Sequence, residues 1–592
     1  MTRHGLLSGG GMDRARELTS VTMGKEKADL AIVNAAIVNV YTGELLDGYS
    51  VTGKGEWIAY VGDDPGDTIG PDTEILDAKG KTIIPGLIDG HAHLAWLSPI
   101  SEFLQYAMLS GTTTIITETM EPFAILGYEG VVDFLASVRE QPIKIFATAP
   151  SMASISKRAR GISEEVLRRL LLRDDIVGLG ESYWQAVLQE PEEFLPIFME
   201  TVRCGKRLEG HSAGARGRKL MAYIAQGISS CHEPVDAEEV LERLRLGMHV
   251  MVREGSIRRD LAPISRIKDA GVDLRRLILV SDGIAPEDLL EKGYMESIVQ
   301  KAIDCGFDPV HAIQMATINV AGYFFLDGIV GGIAPGKYAD MLIIPDPKDI
   351  TVECVISKGK IIAREGRLMV SPRKHVFSPE SLQSIQLSRE LGPSDFSILA
   401  RNNASHVTVR VIEQATDLVT KELVTSVPVT DGEIRSDAGR DLLKLAAIDR
   451  RYSPGKTFVG LIKGFRLRAG AFACSAAWDT SDIIVVGEND EDMAGAVNRV
   501  YALQGGAVAY AKGKILAEIP LPIFGIIADM PLAMLSRRME EFKGVVKDLG
   551  FPFDNPLLTL VTLTGAAIPF LRICEEGLVN LKDGRTVDLF VS

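Results

Sequence analysis

A chain of 592 residues is too long for one ordinary domain, so two to four are expected, with ample length for a buried core. Its formal net charge of -15 argues against general binding to nucleic acid or to anionic membrane surfaces, since either polyanion would be repelled. No stretch has the uninterrupted apolar length of a membrane span, and the six cysteines (Cys204, Cys231, Cys305, Cys354, Cys474 and Cys574) are too scattered for a zinc knuckle or a secreted disulfide scaffold. They read as buried thiols in a reducing cytoplasm.

Residues 1–27 carry Gly-rich and charged stretches without the apolar core of a signal peptide; a disordered N-terminal tail is expected there, with Met12 or Met23 as alternative starts. From 28 to 84 the text changes to short β-type runs separated by turn residues such as Tyr41-Thr-Gly-Glu and Gly62-Asp-Asp-Pro. The same idiom returns at Ala339-Asp-Met-Leu-Ile-Ile-Pro and Val355-Ile-Ser-Lys-Gly-Lys-Ile-Ile-Ala, so 28–84 and 326–370 are expected to complete one small split β-sandwich.

Between them strand, loop and helix repeat. Candidate strands at 83–89, 112–117, 143–148, 176–180, 207–211, 228–232, 249–253 and 277–282 predict a (β/α)8 TIM-like barrel over 85–325, with its active site at the C-terminal strand ends. An open doubly wound sheet is the poorer reading, because no Gly-rich phosphate loop follows the first strand. Beyond a Pro-rich, basic boundary near 371–379, residues 380–592 read as a C-terminal α/β domain. There Glu488-Asn-Asp-Glu-Asp492 is an acidic helix start in preference to a calcium site. Trp478 and Asp479 are expected to pack in that domain, a lid over the barrel mouth being the alternative.

The residues that end the barrel strands carry the chemistry. Strand one runs into His91 and His93, whose spacing points both imidazoles to one face of an extended chain. Strand four ends in Glu181, five in His211, six in His232 and eight in Asp282. Imidazole and carboxylate donors without thiolate suit manganese, iron or zinc. A binuclear site is expected, with Glu181 bridging His91, His93 and Asp282 on one side to His211 and His232 on the other. Two ions sharing a water generate a metal-activated hydroxide, so the chemistry is hydrolytic, with Asp282 as the proton-shuttling base and acid.

This ligand order inside a split β-sandwich resembles the amidohydrolase superfamily. Within it, Gly178-Leu-Gly-Glu181, Glu209-Gly-His211, Ser230-Cys-His232-Glu233, Ile333-Ala-Pro-Gly-Lys-Tyr-Ala-Asp340, Gly460-Leu-Ile-Lys-Gly-Phe and Ile519-Pro-Leu-Pro-Ile-Phe-Gly525 are similar to the bacterial adenine deaminases. The resemblance covers nearly all of the chain beyond the N-terminal tail. It implies hydrolysis of a C–N bond in a cyclic amidine: adenine to hypoxanthine and ammonia. Mn2+ is the leading divalent metal, with Fe2+ or Zn2+ as alternatives. Attack at C6 needs a proton on ring nitrogen N1, for which Glu121, Glu233 and Glu254 are the candidates. Trp96 and Arg253 are the candidate substrate-binding residues. The partners implied are a small-molecule substrate and further copies of the chain as a homo-oligomer, with no nucleic acid and no membrane.

The chain also departs from that family. Ala95-Trp96-Leu97 stands where Glu-Ser-Ser is usual, Met120 where a histidine precedes the glutamate, Cys231 where Asp is usual and Gly283 where a second Asp follows the strand-eight aspartate. Trp478 and Ser481 occupy two family histidine positions. Another purine, a pterin or a cyclic amide is therefore the alternative substrate. A non-catalytic binding or assembly protein on the same fold is the alternative of a different class.

Overall fold

The structure is a computed structural model describing residues 11–151, 155–157, 161–401, 404–568 and 570–591. Its first element corrects the sequence reading. Gly11–Thr22 is a helix, not a disordered tail, and Met23, Gly24 and Lys25 follow in turns hydrogen-bonded back to it; residues 1–10 of that expectation lie outside the described residues. Leu18 and Val21, three apart and so on one helical face, pack against Ala28 and Ala59. The Thr22 hydroxyl donates to the Ala59 carbonyl at 2.8 Å, and the Arg14 guanidinium lies 4.0 Å over the Trp57 ring. Composition hid a helix whose stability comes from what it docks on.

Leu30–Asn39 pairs antiparallel with Glu44–Lys54 and parallel with both Glu74–Asp77 and Thr82–Pro85. The late strand Met341–Ile344 then pairs antiparallel with Thr82–Pro85, and Cys354–Ser357 and Lys360–Arg364 follow outward in the same nine-stranded sheet. The early and late β segments are thus hydrogen-bonded into one unit. After Pro85 the chain passes directly into the barrel.

The barrel strands are β1 (Leu87–Ala92), β2 (Thr112–Thr117), β3 (Lys144–Ala149), β4 (Ile176–Tyr183), β5 (Arg207–His211), β6 (Ser230–Cys231), β7 (His249–Arg253) and β8 (Leu277–Val280), with parallel pairing from β1 to β5 and from β6 to β8. Two backbone bonds close the ring: Ser229 N–H to the Leu208 carbonyl, 3.0 Å, and Asp282 N–H to the His91 carbonyl, 3.0 Å. Ile88, Ile116, Phe146, Val177, Met251 and Ile278 pack inside, so the interior is a filled core with its chemistry at one end.

The C-terminal part holds an eight-stranded sheet with Leu443–Asp449 and Asp482–Gly487 at its centre. Helix Asp490–Ala502 packs on it, N-capped by the Asn489 side chain, which accepts from Asp492 N–H; the acidic run is a helix start. This part is stitched to the barrel mouth just past the histidine pair. Leu97 N–H donates to the Ile526 carbonyl and Ala528 N–H donates to the Leu97 carbonyl, both at 2.9 Å. No described helix is long and apolar enough to cross a membrane.

Candidate metal centre

The strand ends bring six side chains into two overlapping groups. In one, ligand atoms of His91, His93, Glu181 and Asp282 lie within 4.8 Å of one another; in the other, Glu181, His211 and His232 do so. All six are buried. His91 Nε2 and His93 Nε2 each stand 3.3 Å from Glu181 Oε1, and 3.3 and 3.4 Å from Asp282 Oδ1. His232 Nε2 is 3.5 Å from the same Glu181 oxygen, so Glu181 is the member common to both groups.

These contacts are long for hydrogen bonds and suited to donors spaced around an ion. The Nε2 atoms of His91 and His93 and Nδ1 of His211 are buried without a hydrogen-bond partner. Hard oxygen and borderline imidazole donors in this number fit a divalent cation. The electrostatics agree. Burial disfavours charge on His91 and His93, yet hydrogen bonding and charge from Asp282, Glu181, Glu121 and Glu209 raise both imidazoles well above their ordinary range. Burial likewise opposes ionisation of Glu181 and Asp282, but the surrounding imidazoles carry both well below the usual carboxylate range.

Behind the ligands stands a layer the sequence reading only half found. Glu121 holds His93 through Nδ1, leaving Nε2 for the cavity. Glu118 and Glu209 lie behind His91, at 3.7 and 3.6 Å from its Nδ1. Burial foremost pushes the Glu118 carboxyl up to about 8. The signal for Glu209 was present, because it precedes His211 by two residues on one strand and so shares its face.

A cavity of about 290 Å³ opens above, lined by His93, Glu181, His211, His232, Glu233, Arg253 and Asp282 among others. Arg253 donates to Asp282 Oδ2 at 3.3 Å and to Asp260 Oδ2 at 3.0 Å. Glu233 accepts the Ser212 N–H at 2.7 Å and stands 2.7 Å from His232 Nε2. Burial raises its carboxyl, but the His211 and His232 charges outweigh that and hold it at about 2.

The remaining candidates fall elsewhere. Glu254 is corrected: strand alternation turns it away from the side that Arg253 faces, its carboxylate pairs with Lys301 at 2.6 Å, and it is not in the cavity wall. Glu121 and Trp96 lie one contact back, Trp96 against Trp478 with ring centroids 5.3 Å apart. Trp478 lines the cavity, in line with the barrel-mouth alternative and not with packing inside its own domain.

Residues 82–362 match the amidohydrolase family, and residues 417–585 match the adenine deaminase C-terminal domain. A protein of Clostridium botulinum (strain 657 / Type Ba4) named adenine deaminase is 35% identical over 586 residues, 98% of this chain and 98% of its own. One of the same name from Moorella thermoacetica is 36% identical over 583 residues, covering 97% and 98%. Another, from the archaeon Cenarchaeum symbiosum, is 35% identical over 573 residues, covering 95% and 93%.

Proposed function

Because this chain belongs to the adenine deaminase family of amidohydrolases, we propose that it catalyses hydrolytic deamination of adenine to hypoxanthine and ammonia. The observation that carries this reading is the complete set of buried imidazole and carboxylate donors at the floor of one cavity, in a chain aligned with such relatives from end to end. His91, His93, Glu181 and Asp282 would hold one divalent ion and Glu181, His211 and His232 a second; Mn2+ is the proposed metal. When bound, such ions supply Lewis-acid activation of water near neutral pH.

The chain's own groups divide the remaining work. Asp282, with Oδ1 toward the histidines and Oδ2 held by Arg253, takes the proton from water and returns it to the departing amine. Arg253 keeps that carboxylate aimed. Glu233 supplies the proton to ring nitrogen N1. Glu233 is placed for this in the cavity wall, with Oε2 anchored by the Ser212 N–H at 2.7 Å and Oε1 toward His232.

We read the chain as a composite β unit (28–84 with 326–370), a catalytic barrel (85–325) and a C-terminal α/β domain (380–592). The six free cysteines favour a cytoplasmic setting. An exposed apolar stripe of Leu195, Met199 and Val202 on helix Pro191–Arg203 supports a homo-oligomer.

The test is ammonia release from adenine by protein loaded separately with Mn2+, Fe2+ and Zn2+. Turnover greatest with Mn2+ and abolished by Glu181→Gln is expected. Silence toward adenine with deamination of another heterocycle would reject the substrate, and retention of activity in Glu181→Gln would reject the site.

A further inference from the structure

Part of the cavity wall is not made by the barrel. Trp478, Thr562, Gly565, Ala567 and Ile568 all line it, and all come from the C-terminal part of the chain. The Trp478 ring centroid stands 5.7 Å from that of His93 on the metal side and 5.3 Å from that of Trp96 behind. Its backbone is fixed at both ends: Trp478 N–H donates to the Val561 carbonyl at 3.3 Å, and the Thr564 hydroxyl donates to the Trp478 carbonyl.

The next residue explains how this wall is seated. Asp479 has φ of 59°, in the left-handed region that non-glycine residues occupy only where their surroundings over-determine it. Its buried carboxyl accepts the Tyr183 hydroxyl at 3.1 Å and the Ala566 N–H at 2.8 Å. Tyr183 ends β4, two residues after Glu181. Asp479 therefore ties three things together: the strand that carries the shared metal ligand, the 562–568 loop and the tryptophan between them. The burial of this carboxyl, which pushes it up to about 7, marks how completely the joint excludes water.

We propose that Trp478 is the specificity-determining wall of the substrate slot, with Asp479 as the positioning residue that seats it, so that the C-terminal domain selects a flat, unsubstituted purine. This assignment rests on the adenine reading above. An indole face offers a purine a stacking surface, and its bulk limits what else the slot admits.

Four variants and one ligand test it. Trp478→Ala should raise KM for adenine by about 5- to 150-fold, the span of one base–aromatic stack, with kcat within about threefold. The same variant should improve kcat/KM for 2,6-diaminopurine or adenosine relative to adenine by about tenfold or more. Asp479→Ala should reproduce the KM change at unaltered metal content, and Asp479→Asn, which still accepts from Tyr183 and Ala566, should restore it. Titration with hypoxanthine should quench tryptophan fluorescence in the wild type and lose that quench in Trp478→Phe.

If Asp479→Ala does not fold, Trp478→Ala decides, since it leaves the Asp479 contacts in place. Wild-type KM in Trp478→Ala, or full quenching in Trp478→Phe, overturns this assignment alone. A wild-type enzyme that neither deaminates adenine nor binds hypoxanthine overturns the adenine reading and this assignment with it.

Discussion

Nδ1 of His93 lies 2.5 Å from Oε1 of Glu121, and neither side chain is open to solvent. That pairing leaves Nε2 as the ring nitrogen available to a metal ion. Glu121→Gln keeps an acceptor but loses the charge that makes the imidazole a better donor. Metal affinity should fall about 10- to 100-fold with the fold unchanged, as measured by competition against a chromophoric chelator and by circular dichroism. Unchanged affinity would show that the carboxylate serves the substrate instead.

Gly255 packs its backbone tightly against the segment that carries Asp282. A Cβ there would stand 1.9 Å from the Ser281 carbonyl oxygen and 2.5 Å from that of Gly283, and both are backbone atoms that cannot swing aside. Gly255→Ala should therefore displace residues 281–283, costing about 1–3 kcal/mol of stability and part of the bound metal. Calorimetry and elemental analysis would check both; a variant with native melting and metal content would contradict the packing argument.

Glu296, outside the candidate metal cluster, offers a pH signature of its own. Burial chiefly, against hydrogen bonds from the Tyr294 N–H at 3.2 and 3.0 Å, pushes its carboxyl up to about 7 from an ordinary 4.5. A carboxyl raised in the folded state stabilises fully below its unfolded value, and that contribution is lost as pH rises through the folded one. Between about pH 4.5 and 7.5 the wild type should lose about 2 kcal/mol relative to Glu296→Gln, the half-buried group being partly screened. Parallel melting curves for the two proteins across that range would rule it out.

Chelation should loosen the barrel mouth. Six buried donors with orphaned imidazole nitrogens lose their common partner when metal is removed. Restoring metal at a thousandfold excess over its dissociation constant should stabilise the folded protein by about 4 kcal/mol. Scanning calorimetry with and without chelator measures the difference, and indifference to chelator would argue against a resident ion.

The candidate ligand cluster was legible because strand periodicity and residue chemistry coincide at it: a histidine or carboxylate ending an apolar run has few structural excuses. The closed parallel ring and the pairing of early with late β segments were legible for the same reason. The layer behind was less so. Glu118 and Glu209 are carboxylates whose role exists only because His91 arrives between them from another strand. Glu254 misled because a strand-end acid reads alike on either face, and one step of alternation sent it to Lys301. The Gly11–Thr22 helix was missed, and Trp478 at the barrel mouth was only the second choice, because both are defined by docking onto distant parts of the chain, which local text does not encode.

The backbone bond from Asp282 to the His91 carbonyl has a consequence for how the protein is born. The same junction closes the barrel and completes the ligand set, so a growing chain cannot assemble that set until residue 282 has left the ribosome. The slot above waits longer still, for the loop at 562–568. If the cluster holds metal and the wall selects substrate as proposed, the two functions are completed at different points along one nascent polypeptide. Chains released between those points would carry the six-residue cluster without the loop that completes the cavity wall.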